Sequence, residues 1–381
     1  MRAVLCVLLV ACGSHLEKAT VDGGDSCSGS ETRCNGNTYQ TCVDNTFTDT
    51  DTCSSGMCSP TLGCTQCDPT MGNTCNGSAV VQCNPDGSFG ATVTTCGQGT
   101  ACMGGSCNHA CTADGVDLVY VVDEQNDFMS FDPRLLPGNP FTKIGTLSCP
   151  TQGASIQSGG GAVMPFSMSV DRDGVAWVLY TSGEVFNVDL TTAACTATSW
   201  VPQAGGMKLF GMGFSTDMPN GNTEQLYIAG GGNAAQPNGK LADVDTHGSN
   251  FTPQMIGTLS ASSDYSPELT GTNEAKLFGF YPVISSGPSY VQEIDKTSGA
   301  GTGMQWNLGT TGLGNQIRDW AFAQWGGTFY IFVTTDDGTG TLNSTVRSID
   351  RMTNTYTIVL QDLPYQIDGA GVSTCAPVVL Q

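Results

Sequence analysis

Three acidic residues are the best candidates for chemistry in this sequence. Glu268, Asp319 and Asp368 stand in the segments SPELTGT, IRDWAFA and QIDGAGV, each at the start of a predicted strand. If these strands run in the same direction around a common axis, their carboxylates reach the same mouth of an axial channel. Converging carboxylates can bind a cation, or act as acid and base on a glycosidic bond. The sequence therefore predicts a candidate site at this mouth.

Aromatic residues occupy the comparable positions of two earlier strands. Phe166 and Phe210 stand at these positions, in PFSMSVD and FGMGF. A rim that mixes carboxylates with aromatic rings suits a sugar or peptide ligand. The alternative is that the acids only cap turns and hydrate a polar channel. Both interpretations stay open, and we assign no catalytic residue from the sequence.

Other motifs for catalysis or metal binding are absent or incomplete. The three histidines, His15, His109 and His247, fall in three different predicted segments. A histidine-dependent nucleophile or a multi-histidine metal site is therefore hard to assemble. Residues 171–174, DRDG, match the start of a calcium loop but lack its remaining ligands, which favours a turn between strands. We expect no metal and no cofactor, with calcium as the one alternative.

A strand that ends in an aspartate recurs along the chain. The acid of these segments is Asp132, Asp189, Asp245, Asp295 and Asp350, at intervals of 57, 56, 50 and 55 residues. A repeat of this length with strand-like content is typical of arrays of four-stranded units such as β-propellers. Each aspartate follows a half-buried strand, where its side chain can accept hydrogen bonds from the next turn. We interpret these acids as turn formers, because equivalent positions in different units lie far apart.

The same order of four strands repeats in four successive units. In each unit an inner strand rich in Gly, Ser and Ala comes first, as expected where neighbouring sheets crowd an axis. The first unit lacks its inner strand, and the C-terminal segment IDGAGVSTCAP supplies a match. We predict an all-β fold, with residues 112–381 forming a five-bladed β-propeller closed by the C-terminal strand. Closure removes the open sheet edges.

A cysteine-rich module precedes the predicted propeller. It contains two repeats, residues 27–66 and 67–111, with the kernels RCNGNTYQTC and TCNGSAVVQC. Repeats this short and poor in apolar residues need disulfides for stability. Cys64 and Cys67 have the spacing of half a zinc site, but they fall in different repeats, and the export signal described below favours disulfides. Six cysteines allow 15 pairings, so the pairing within a repeat stays open. We interpret the module as a stalk or spacer.

Four cysteines remain beyond the six of each repeat and those of the N-terminal segment. Cys111 precedes the first strand of the predicted propeller, and Cys375 ends the strand predicted to pair with it. We therefore predict a disulfide between Cys111 and Cys375 that locks the closure. Cys149 and Cys195 are then left to pair by elimination.

The N-terminal segment MRAVLCVLLVACGS has the pattern of an export signal, one positive charge followed by a short apolar run. Its LVAC resembles a bacterial lipobox, which implies a signal peptide over residues 1–11 and a lipid on Cys12. Residues 12–26 would then be a lipidated tether. The alternative is an ordinary secretory signal with an incidental cysteine. A net charge of −21 argues against nucleic-acid binding, so we expect membrane contact through the lipid alone.

The lipobox, the paired six-cysteine repeats and the propeller pattern together resemble exported lipoproteins typical of myxobacteria, a group mostly without assigned function. We expect a monomeric protein that the lipid anchors at the outer membrane or cell surface. The leading hypothesis is non-enzymatic, a propeller that binds a glycan, a peptide or an envelope component. The alternative is an exported polysaccharide hydrolase or lyase, because five-bladed glycosidases use carboxylates at a similar mouth. The geometry of the three acids separates the two hypotheses.

Overall fold

The computed structural model describes residues 26–54, 57–96, 100–103, 105–109, 111, 113–230, 239–248, 251–259, 266–283, 287–309 and 317–379. Regular structure in these residues consists of β-strands and three short 3-10 helices, Pro69–Met71, Pro133–Leu135 and Ala204–Gly206. The chain is therefore all-β, as predicted. The described residues form two compact units, one within residues 26–95 and 102–106 and the other within residues 96–101 and 107–379. No helix among these residues is long and apolar enough to cross a membrane.

The first unit is built from short antiparallel strands. They form a three-stranded sheet β1-β2-β3, a pair β4-β5 and a second three-stranded sheet β6-β7-β8. Their bounds are β1 Thr32–Asn35, β2 Thr38–Val43, β3 Thr46–Thr52, β4 Met57–Ser59, β5 Gly63–Thr65, β6 Asn73–Asn76, β7 Ala79–Cys83 and β8 Phe89–Thr95. Strands β9 Thr100–Met103 and β10 Ser106–His109 follow.

Disulfides replace a large apolar core in this region. The first repeat contains Cys27–Cys42, Cys34–Cys58 and Cys53–Cys64, and the second contains Cys67–Cys83, Cys75–Cys102 and Cys96–Cys107. Both repeats therefore pair the first cysteine with the third, the second with the fifth and the fourth with the sixth. Apart from cysteines, Val80 and Val81 are the buried hydrophobic residues of the first unit among those described. Cys64 and Cys67 are both in disulfides, which excludes the zinc alternative for that pair.

The second unit contains five four-stranded antiparallel sheets. The first has the order β13-β12-β11-β30, and each of the others follows chain order. The strands of the first sheet are β11 Val119–Asp123, β12 Asp127–Phe131, β13 Phe141–Thr146 and β30 Ile367–Val372. Those of the second and third are β14 Pro165–Val170, β15 Val175–Tyr180, β16 Val185–Asp189, β17 Cys195–Ala197, β18 Phe210–Thr216, β19 Glu224–Gly230, β20 Lys240–Val244 and β21 Gln254–Thr258. Those of the fourth and fifth are β22 Glu268–Gly271, β23 Leu277–Tyr281, β24 Ser289–Ile294, β25 Gly301–Leu308, β26 Ile317–Trp325, β27 Thr328–Asp336, β28 Leu342–Asp350 and β29 Tyr356–Leu360.

The innermost strands of the five sheets lie side by side. Strands β14, β18, β22, β26 and β30 contact one another in this order, and β30 also contacts β14. β30 joins the first sheet through antiparallel pairing with β11, in which Val121 lies opposite Ala370. A Cβ atom at Gly371 would lie 2.7 Å from Ser169 Cα, so glycine permits this close approach. The arrangement is propeller-like, and small residues crowd its axis as the sequence predicts.

The apolar core of the second unit is divided into five clusters. Each cluster combines buried residues of two neighbouring sheets, and the last combines the fifth sheet with the first. In the cluster between the fourth and fifth sheets, for example, the rings of Phe278 and Phe329 lie 5.0 Å apart. Aromatic residues of this kind bury large apolar areas and stabilise the sheet packing.

Two further disulfides lie in the second unit. Cys111 is bonded to Cys375 and Cys149 to Cys195, which are the pairs expected from the sequence. With the six disulfides of the repeats they make eight among the described residues. This number indicates an oxidising compartment and therefore an exported protein. The predicted lipid site at Cys12, the signal segment and most of the tether lie outside the described residues.

The predicted turn aspartates form the expected hydrogen bonds. Each accepts the backbone N–H of the residue two positions later, at 2.8 to 3.0 Å. Asp189 also accepts from the side chains of Thr191 and Thr192, at 2.7 and 2.8 Å. These hydrogen bonds lower the pKa of Asp189 to about 2, because they favour the charged carboxylate. The structural interpretation of these acids is confirmed.

Candidate functional site

One cavity brings the three predicted acids together. Glu268 opens β22, Asp319 lies near the start of β26, and Asp368 is the second residue of β30. All three line a single cavity that encloses about 430 Å³, including space open to solvent. Since these strands run side by side in the same direction, their first residues meet at one end.

Glu268 is buried and held by a partner from a sheet that does not adjoin its own. Its Oε2 accepts a hydrogen bond from Ser167 Oγ of β14, at 2.7 Å. Glu268 is 3% exposed, and burial raises the pKa of its carboxyl well above the ordinary value. No cation contacts its carboxyl among the described residues, so burial favours the neutral acid. In that form the carboxyl also donates a hydrogen bond.

Asp319 and Asp368 form a carboxyl pair. Their side chains act directly on each other, and two carboxyl groups can form a hydrogen bond only when one of them carries a proton. Burial raises the pKa of Asp319 to about 6, and the charge of Glu124 acts in the same direction. Burial, followed by the charge of Asp319, raises the pKa of Asp368 well above the ordinary range. Two like charges this close cannot both ionise easily, so the pair holds one proton near neutral pH.

Asp368 has an unused acceptor. Its side chain lines the cavity, and the residue is 9% exposed. Its Oδ2 is buried, and no N–H or hydroxyl group of the residues that the structure describes donates a hydrogen bond to it. A buried polar atom without a partner is costly unless a ligand or water supplies a donor. This atom is the clearest sign that the cavity accepts a hydrogen-bond donor.

The two predicted aromatic rim residues have different positions. Phe166 lines the cavity together with Trp320, which follows Asp319 in the sequence. Phe210 is buried in the core between the second and third sheets, where its ring lies 5.3 Å from that of Trp200. The predicted rim role of Phe210 is therefore wrong. Burial against an aromatic partner stabilises the ring more than a place at a wet mouth does.

The remaining candidates do not add to the cavity. Asp171 forms the predicted turn, accepting hydrogen bonds from the backbone N–H of Asp173 and Val175. His247 follows β20 in the turn of Asp245, His109 ends β10, and His15 lies outside the described residues. Within the described part of the chain, no group of three or more His, Cys, Asp or Glu residues could hold a metal ion.

Sequence reasoning missed several residues of the site. Ser167, the partner of Glu268, stands next to Phe166, and its small side chain was attributed to crowding at the axis. Trp320 stands next to Asp319, so its position in the same strand was a usable signal. Gln157 reaches the cavity from the segment between β13 and β14, for which the sequence carries no pattern.

A second polar cluster lies where β14 and β30 end. Arg172 donates from Nη1 to Thr374 Oγ1 at 3.0 Å and from its backbone N–H to Glu224 Oε1 at 2.7 Å. Thr374 in turn donates to Glu224 Oε2 at 2.6 Å, and Arg172 Nη2 lies 3.3 Å from Cys111 Sγ. Burial raises the pKa of Glu224 to about 8. This cluster links β14, β19 and β30 beside the Cys111–Cys375 disulfide.

No protein-family model matches the chain, and no curated protein matches it. Solved structures with some similarity include hydrazine synthase of Kuenenia stuttgartiensis, with 15% identity over 66% of this chain and 65% of that one, at a TM-score of 0.35. The chain thus spans less than two thirds of that protein. An endo-arabinase of Bacteroides thetaiotaomicron has 11% identity over 57% of this chain and 85% of its own, at a TM-score of 0.39. BamB of Moraxella catarrhalis has 14% identity over 77% of this chain and 70% of its own, at a TM-score of 0.24. Because all three TM-scores are below 0.5, the assignment of fold and site rests on the geometry described above.

Proposed function

We propose that the five sheets are the blades of a five-bladed β-propeller that β30 closes. Pairing of β30 with β11 leaves the first sheet with four strands like the others. The five clusters of the core, one between each pair of neighbouring sheets, support this closed arrangement. In such a ring the cavity of Glu268, Asp319 and Asp368 is one mouth of the central channel.

The proposed function of this mouth is to bind a glycan without cleaving it. The observation that carries the proposal is the cavity that Asp319, Asp368 and Glu268 line together with Phe166 and Trp320. Glycoside hydrolases hold their two carboxyl groups about 5 to 9.5 Å apart, so that a sugar or a water fits between them. Asp319 and Asp368 act directly on each other, which does not suit that arrangement, while their oxygens and the carboxyl of Glu268 can form hydrogen bonds with sugar hydroxyls. Aromatic side chains give a sugar ring an apolar surface.

The proposed place of action is the cell envelope, with a lipid on Cys12 as the anchor and the cysteine repeats as the spacer. The eight disulfides support export, and the LVAC segment supports the anchor. Mass analysis of the native protein tests the anchor, since the N-terminal residue is expected to be an acylated Cys12. An unmodified N-terminus at another residue would remove the anchor from this proposal.

A glycan array with the full-length chain in detergent tests the binding function. The wild type is expected to bind a subset of glycans, and Asp319→Asn is expected to bind them at least about tenfold more weakly, because a hydrogen bond to a charged group contributes about 1.5 to 3 kcal/mol. Asp362→Asn is a matched control, because Asp362 is exposed and outside the cavity. Unchanged binding by the Asp319 variant would contradict the proposed site.

Polysaccharide hydrolysis is the second candidate function. The observation in its favour is the pKa of Asp319 at about 6, since acid–base catalysts work best with a pKa near the ambient pH. Incubation of the bound glycans with the full-length chain separates the two functions. Shortened products that Asp319→Asn fails to form would establish the enzyme, whereas intact glycans after long incubation are expected for a binding protein.

A further inference from the structure

The negative charges around the cavity indicate which kind of ligand group donates a hydrogen bond to Asp368. Asp319, Glu124 and Asp123 all act on Asp368 as like charges. The cation beside Asp319 is Arg318, but its Nη2 lies 2.5 Å from Asp336 Oδ2 and its side chain is 58% exposed. Solvent therefore screens Arg318, and Asp336 competes for its charge. The carboxyl pair therefore lies among negative charges that Arg318 neutralises only weakly.

A positively charged ligand relieves this repulsion better than a neutral one. A sugar hydroxyl can donate to Asp368 Oδ2, but it leaves the mutual repulsion of the acids unchanged. An ammonium group donates to the same atom and also brings the missing charge, which allows the pair to ionise. A bare metal ion is a poorer candidate, because Ca²⁺ takes six to eight oxygen ligands. The described residues provide no group of three or more acids arranged around one ion.

The rest of the cavity suits a sugar ring attached to that ammonium group. Glu268, whose carboxyl accepts a hydrogen bond from Ser167, provides a hydroxyl-binding group in the cavity. Phe166 and Trp320 provide aromatic surface, which can contact both an apolar ring face and a cation. The aliphatic stem of a lysine side chain would use the aromatic surface but leave the hydroxyl-binding groups without partners.

We propose that the cavity selects a glycan with a free amino group, whose ammonium binds Asp368 and Asp319 and whose hydroxyls bind Glu268. This inference rests on the glycan binding proposed above and names its ligand class. The free amine is the distinguishing feature, since acetylation removes both its charge and two of its donors.

Calorimetry with the full-length chain tests the inference directly. The probes are a β-1,4-linked tetramer of glucosamine and its fully N-acetylated counterpart, measured at pH 6.5. The free-amine tetramer is expected to bind at least about tenfold more tightly, consistent with a charge-assisted hydrogen bond. This preference is expected to disappear in Asp368→Asn and to persist in Asp362→Asn, since Asp362 is exposed and its φ of 52° suits asparagine.

A second measurement on the unmodified protein keeps the test independent of folding of the variant. The affinity for the free-amine tetramer is expected to fall roughly tenfold between pH 6.5 and pH 5, because Asp319 takes up a proton in this range. The titratable and charged groups that act on Asp319 are Asp368, Glu124 and Arg318, and Glu268 lines the same cavity. An affinity that does not change with pH would contradict ammonium binding by the pair.

The remaining outcomes separate this inference from the proposed function. Equal binding of the two tetramers, or binding of neutral glycans alone, would overturn the amine preference and leave glycan binding in place. Failure to bind any glycan on the array would overturn both. Binding of a lysine-containing peptide in place of the free-amine tetramer would also overturn the inference and indicate a peptide ligand.

Discussion

The turns that follow the third strands and the cavity at the start of the inner strands both contain carboxyl groups, but the two regions shift the pKa of these groups in opposite directions. Asp189 in a turn is exposed and accepts four hydrogen bonds from residues two and three positions later. Asp368 in the cavity is buried and shares a proton with Asp319, which is distant in sequence. Local donors stabilise the charged form, whereas burial next to another acid stabilises the neutral form.

This difference shows that the turn acids depend on neighbours in sequence and the cavity acids on the assembly of the sheets. Glu268 meets Ser167 across a separation of 101 residues. The protonation of the cavity acids therefore depends on the tertiary structure, whereas that of the turn acids depends on a few residues next to them in the sequence. Each of the following changes should affect one region and spare the other.

Removal of the Cys111–Cys375 disulfide should have the largest effect. The bond spans a sequence separation of 264 residues and lies near the end of β30, the strand that carries Asp368. The variant Cys111→Ser/Cys375→Ser is expected to lose about 4 to 5 kcal/mol of unfolding free energy and to bind glycan more weakly. Cys149→Ser/Cys195→Ser, with a separation of 46 residues, is the matched control and should lose about 1 to 2 kcal/mol less. Urea unfolding measures both, and a larger loss in the control would contradict a closing role for Cys111–Cys375.

Glu268 tests whether a cavity acid is neutral. Glu268→Ala is expected to lose about 2 to 3 kcal/mol of unfolding free energy, since Ser167 is left with a buried hydroxyl and no acceptor. Glu268→Gln should stay within about 1 kcal/mol of the wild type, because a neutral amide replaces a neutral acid. Urea unfolding at pH 7 compares the three proteins. A loss in the Gln variant as large as that in the Ala variant would show that Glu268 is charged.

The pH dependence of stability should carry the signature of the carboxyl pair. An acid whose pKa is raised on folding binds more protons when folded, so stability falls as pH rises between the two pKa values. For Asp319 the window runs from the ordinary value near 4 to about 6, and the fall is expected to be on the order of 2 kcal/mol. Asp319→Asn should flatten this fall, and Asp189→Asn should leave it unchanged. Thermal unfolding between pH 4 and pH 7 gives the profiles, and identical slopes in all three proteins would contradict the shared proton.

The smallest effect is expected at a single turn. Asp189→Ala should lower the unfolding free energy by about 1 kcal/mol at pH 7, because the turn N–H groups lose their acceptor. The pKa of Asp189 is lowered to about 2 on folding, so its contribution is present above about pH 4 and is lost as the pH falls toward 2. Urea unfolding at pH 7 and pH 3 measures this change. A difference between variant and wild type that grows as the pH falls would contradict the assignment.

The same contrast explains how much could be predicted from the sequence. Asp189 and its equivalents were predictable because their partners follow within three residues. The pairing of β30 with β11 was predictable because the first sheet otherwise lacks a strand. The meeting of Glu268, Asp319 and Asp368 followed from strand direction. Their mutual contacts did not, since side-chain direction and burial depend on packing between sheets, which also placed Phe210 in the core.

A carboxyl titration by ¹³C NMR on the full-length chain measures directly how the cavity acids and the turn acids ionise. Asp368 and Glu268 are expected to titrate well above the ordinary carboxyl range, Asp319 to titrate near 6, and Asp189 to stay ionised down to about pH 2. Substitution by Asn or Gln at each position assigns the signals. If the cavity acids instead titrate near pH 4 together with exposed carboxyls, they are ionised and separate, and the account of a proton-sharing site is wrong.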